Sequence, residues 1–85
     1  MNGIKHPKLI EAAWRRLVAA RPSSGFQPKT PSDWKRLLAA HEFMGYASYR
    51  AMGMSINDAK SLARLTHGGA VGLTLLKSAF NEGEK

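Results

Sequence analysis

Apolar residues recur at every third or fourth position along most of this chain, and nowhere do they alternate strictly with polar ones. From Pro7 onward, Ile10, Ala13, Trp14, Leu17 and Val18 form an i, i+3, i+4, i+7, i+8 stripe, with Lys8, Glu11, Arg15 and Arg16 lying off it. That spacing predicts an amphipathic helix with the stripe buried, started by a proline in its first turn. Arg21 to Lys29 holds two Pro, two Ser and a Gly and predicts a loop, pinned to the core by Phe26. Thr30-Pro31-Ser32-Asp33 then supplies a capping hydroxyl, a first-turn proline and a first-turn acid. Behind it Trp34, Leu37, Leu38, His41 and Met44 share one face of a second helix, which Gly45 is expected to end.

The pattern continues to the C-terminus. Tyr46, Tyr49 and Met52 predict a short separate helix closed by Gly53. Ser55 has the type of an N-cap, with Asp58 three residues later, and Ile56, Ala59, Leu62 and Ala63 follow at helical spacing. Gly68 and Gly69 stop that helix, and a last one is expected from Ala70 to about Phe80. There Val71, Leu75, Leu76, Ala79 and Phe80 are expected inside, with Leu73 on a second face. The fold expected is therefore all-α: a compact bundle of four to five short helices containing a helix-turn-helix-like pair. It forms a single domain over residues 1–85, with a loose arm at 1–6 and a frayed tail at 81–85.

Charge changes the picture more than composition does. The chain carries +7 with a pI near 10.3, which favours polyanionic partners. Residues 1–50 hold nine Lys/Arg against three acids, whereas residues 51–85 hold four against three, so the basic surface is expected in the first half. With no Cys, disulfides, thiolate chemistry and cysteine zinc sites are excluded. No secretory leader is visible, and the longest apolar run, Gly68 to Leu76, falls short of the ~20 residues of a membrane span. A cytoplasmic protein that does not enter membranes is expected.

Candidate chemistry is sparse. His6, His41 and His67 lack metal-ligand spacing, and His41 on an apolar face suits the edge of a core. The acids fall one per segment apart from Glu82 and Glu84, and no phosphate loop surrounds His67-Gly68-Gly69. No enzyme, cofactor or metal is expected.

The Ser55–Phe80 stretch, two helices folded across a glycine turn, resembles the helix-turn-helix of small phage, plasmid and bacterial regulators. The likeness covers about twenty residues. Ala63 of Leu62-Ala63-Arg64-Leu65 takes the small-residue place where two such helices cross, and Leu73 and Leu76 take the inward places of the second. The resemblance implies a DNA-binding transcriptional regulator whose last helix reads DNA through Thr74, Lys77 and Ser78. A second candidate pair, Trp34 to Met52, offers Ser48 and Arg50. Phosphate contacts are expected from Arg15, Arg16, Lys35, Arg36 and Arg50. DNA is favoured over RNA as the partner, and so small a core leaves room for a homodimer.

Two other functions fit the residues. Trp34, Phe43, Met44, Tyr46, Tyr49, Met52 and Met54 can form a patch for a protein partner with an acidic surface, as in a small phage-type inhibitor or adaptor that binds no nucleic acid. A membrane-surface role for the last helix is weaker, because Lys77 is the one cation on its polar face.

Overall fold

The computed structural model describes residues 5–83, about four fifths of them in four helices: α1 (Pro7–Ala20), α2 (Pro31–Ala51), α3 (Ile56–His67) and α4 (Gly69–Gly83). The expected N-terminal arm lies mostly outside those residues, as does the end of the tail. Helix α2 is the spine. It contacts each of the other three, while α3 also packs on α4, and α1 makes backbone approaches to α2 alone.

The predicted starts of α2 and α3 form as expected. The Asp33 amide donates to Thr30 Oγ1 (3.1 Å) and the Thr30 amide donates back to Asp33 Oδ2 (3.2 Å), which closes a capping box. The Lys29 amide donates to the same carboxylate, and these backbone donors hold the Asp33 carboxyl below its ordinary pKa. At α3, Ser55 Oγ accepts from the Asp58 amide at 3.1 Å.

Gly45 does not end α2. The helix runs straight through it to Ala51 and absorbs the short segment expected at Tyr46–Met52, so the described residues hold four helices and not five. The stop lies eight residues later. Gly53 sits at φ +102, its amide donates to the Arg50 carbonyl (2.9 Å), and the Met54 amide donates to the Tyr49 carbonyl (3.1 Å). These two bonds are the paired closure of a helix end through a left-handed glycine.

The core is built of small residues. Ala13, Ala20, Leu37, Ala40, Ala47, Ala59 and Ala63 are buried, and Leu37 alone among them is large. Around Ala20, Leu37 and Ala40 pack Leu17, Phe26, Trp34, Leu76 and Phe80, with Trp34 and Phe80 edge-to-face at 5.7 Å. Phe26 thus ties the α1–α2 loop down as expected.

Two apolar stripes are rotated from their predicted positions. On α1, Ala13, Leu17 and Ala20 face α2, whereas Trp14 is 59% and Val18 67% exposed. A helix with one neighbour buries a narrow seam, so the outer members of a wide stripe stay in water. On α4, Gly72, Leu73, Leu76 and Phe80 turn inward while Val71 and Leu75 are about half exposed. Gly72 is buried on that inner face, where a Cβ would collide with the His67 carbonyl and press on the Leu38 side chain of α2.

Candidate nucleic-acid interface

The second half of the chain contributes more to the basic surface than its net charge suggests. Lys60 and Arg64 stand one turn apart on the exposed flank of α3, next to the buried Ala59 and Ala63, and Ala63 lies at the base of the groove they line. Across from them, Arg16 of α1 lays its guanidinium over the Phe43 ring, 4.1 Å from the centroid. These three cations line one open groove of about 510 Å³, floored by Ala39, Phe43 and Tyr46 of α2, with Glu42 at its side. The one ion pair among the described residues is Glu11–Arg15 at 3.1 Å, on the exposed face of α1. Among the described residues Arg16, Lys60 and Arg64 form no ion pair.

A second basic cluster surrounds Trp34. Lys29, Lys35 and Lys77 converge on a groove walled by Trp34, Leu38 and Leu73, and the Lys77 ammonium lies 5.7 Å from the Trp34 ring centroid. No acid lines this groove.

The nine expected contact residues divide accordingly. Arg16 falls in the first groove and Lys35 and Lys77 in the second. Arg15 is tied to Glu11, and Arg36 is exposed beside Asp33. Arg50 is spent on the fold: its Nη1 donates to the Met54 carbonyl at 2.8 Å and fastens the turn after α2. Ser48 is half-buried on α2. The Thr74 hydroxyl donates to the Ala70 carbonyl, and neither Thr74 nor Ser78 lines a basic groove. Lys29, Lys60 and Arg64 were not among the nine. The i, i+4 spacing of Lys60 and Arg64, off the Ala59/Ala63 face, was the available signal.

Behind the first groove lies a polar seam between α2 and α3. Thr66 Oγ1 donates to the Leu62 carbonyl (2.8 Å) and stands 3.0 Å from Tyr49 Oη and 2.7 Å from His67 Nδ1. A hydroxyl gives one proton and accepts two, so Tyr49 O–H and His67 Nδ1–H both donate to it. The His67 ring lies 5.0 Å from that of His41, whose Nε2 is buried without a partner. Burial, and then the charge His67 carries when protonated, hold His41 below its ordinary pKa. This seam is structural: it fixes α3 on α2 and so sets where Lys60 and Arg64 point. Among the described residues no three His, Asp or Glu side chains converge as a metal site, and no helix is long and apolar enough to cross a membrane. No known protein family matches this chain, and no curated protein or solved structure is similar to it.

Proposed function

We propose that this protein is a small basic DNA-binding protein of the regulator type, without enzymatic activity. The observation that carries the reading is the convergence of Arg16 with Lys60 and Arg64 on one groove, none of them held by an ion pair among the described residues. Guanidinium and ammonium groups set along a groove are suited to a phosphate backbone, and the overall +7 charge adds long-range attraction. The Trp34 cluster of three lysines extends the positive surface around α2.

The test is a titration of a fluorescent mixed-sequence DNA duplex at several salt concentrations. Binding should weaken with a log–log slope of about −0.9 for each phosphate engaged, so three to five contacts give roughly −3 to −4.5. Affinity that is absent at low salt, or indifferent to salt, removes the reading.

A second reading, a protein-binding adaptor or inhibitor, has one observation in its favour. Leu65 is 70% exposed and lines one groove with the exposed Val71 of α4, and Leu75 is exposed one turn further along α4. The aromatic and methionine set named from the sequence contributes little to this surface, since Met52 alone among the seven is exposed. An acidic partner that the wild type retains and Val71→Asp releases, together with no duplex affinity, would favour this reading.

A further inference from the structure

We infer that α3, not α4, is the helix laid into the DNA major groove, with Asn57, Lys60, Ser61 and Arg64 toward the duplex, a placement that rests on the DNA-binding reading above. The first support is connectivity. Helices α2 and α3 are joined by four residues, Met52 to Ser55, with Gly53 in the left-handed conformation, while α3 and α4 are separated by Gly68 alone. A three- or four-residue glycine turn whose second helix enters the groove is the helix-turn-helix arrangement. By that criterion the pair is α2–α3, one helix earlier than the sequence pattern suggests.

The second support is the face α3 presents. Asn57, Lys60, Ser61 and Arg64 recur at i, i+3, i+4 and i+7 and are all exposed, while the neighbouring Ala59 and Ala63 turn into the core. Their types match base edges and phosphates: an amide for adenine, cations for guanine or phosphate, a hydroxyl for either. The exposed start of α4 is Gly69, Ala70 and Val71, which offers methyl groups only.

Shape is the third. Ser61 and Arg64 line both the groove shared with Arg16 and a second groove toward Gly69 and Val71, so α3 stands as a ridge between two hollows. A helix roughly 10–12 Å across fits a major groove about 12 Å wide, and the hollows leave space for the flanking strands. Arg16 faces the strand on its side. Asp58 falls on the Leu65 side of the ridge, two turns apart from it and away from Arg16.

The experiment is a titration of isotope-labelled full-length protein with a mixed-sequence 16-base-pair duplex at low salt, followed amide by amide. Salt-dependent affinities of Lys60→Ala, Arg64→Ala, Thr74→Ala and Ser78→Ala are measured beside it, with circular dichroism confirming that each variant folds. The shifts should concentrate on residues 57–65. Lys60→Ala and Arg64→Ala should each weaken binding several-fold and flatten the salt slope by about 0.9, while Thr74→Ala and Ser78→Ala match the wild type. Wild-type binding with its footprint on residues 70–78 overturns the assignment to α3 and leaves DNA binding standing. No duplex binding at low salt overturns both.

Discussion

The imidazole of His67 lies directly on the α-carbon of Gly45, so that a methyl group there would come within 2.6 Å of both His67 Cγ and Nδ1. This contact explains why a glycine sits in the middle of the longest helix. Gly45 is a place of approach, where α3 closes onto α2, and its lack of a side chain matters more than its backbone freedom. Swinging the ring aside would break its 2.7 Å hydrogen bond between Nδ1 and Thr66 Oγ1 and its packing on His41 and Tyr49.

Gly45→Ala should therefore destabilise the fold. Alanine gains about 1 kcal/mol of helix propensity over glycine, but overpacking a tight contact costs roughly 1–3 kcal/mol. Urea unfolding of Gly45→Ala, His67→Ala and the double variant measures the balance. The double variant should recover part of the Gly45→Ala loss, giving a coupling energy of about 1 kcal/mol or more. Strict additivity would mean that the two positions do not press on each other.

Helix starts were legible in the sequence because capping is local: Thr30 with Asp33, and Ser55 with Asp58, need no information from elsewhere in the chain. Glycines were legible only in part, since one residue type serves two purposes. Gly53 ends a helix through its positive φ, as expected, whereas Gly45 and Gly72 stay inside helices where a side chain would meet a neighbour. The buried faces of α1 and α4 were misplaced for a related reason. Periodicity gives the width of an apolar stripe, but only the number of packing partners decides how much of it is covered, and Trp14, Val18, Val71 and Leu75 lie on the uncovered margins. The basic groove was half legible. Arg16 stood out in the charge count, but its meeting with Lys60 and Arg64 depends on how α1 and α3 flank α2.

Acid should loosen the α2–α3 seam. His41 has a folded pKa below its ordinary value, so the native state binds fewer protons there than the unfolded chain. Its contribution is fully present above about pH 6.5, and it is lost as pH falls from there toward the folded value. Urea midpoints at pH 8, 7, 6 and 5 should drop below pH 6.5 for the wild type and drop less for His41→Leu. That variant sacrifices no hydrogen bond at Nε2. Parallel pH profiles for the two proteins would show that His41 titrates without penalty.

The turn after α2 should be sensitive at two residues for different reasons. Gly53→Ala forces a Cβ into a left-handed conformation, at a cost of about 1–2 kcal/mol. Arg50→Ala removes the guanidinium bond to the Met54 carbonyl, a charged hydrogen bond of the kind worth roughly 1.5–3 kcal/mol where it is well sheltered. Because Arg50 is partly exposed, the lower end is expected. Its salt slope for DNA should equal that of the wild type, which distinguishes a fastening of the fold from a phosphate contact. A flatter slope would return Arg50 to the interface.

The two helix caps separate stability from binding. Thr30→Ala and Ser55→Ala each remove a hydroxyl that accepts from the third helical amide, and each should cost about 1 kcal/mol. Their consequences for DNA should differ. Thr30 begins α2 beside the Trp34 cluster, whereas Ser55 begins α3 two residues before Asn57, so its loss frays the turn that α3 would set against the bases. Both variants remain mostly folded at 25 °C if the fold is worth several kcal/mol. At matched folded fraction, Ser55→Ala should bind duplex several-fold more weakly than Thr30→Ala. Equal affinities, with equal losses of stability, would show that the first turn of α3 takes no part in binding.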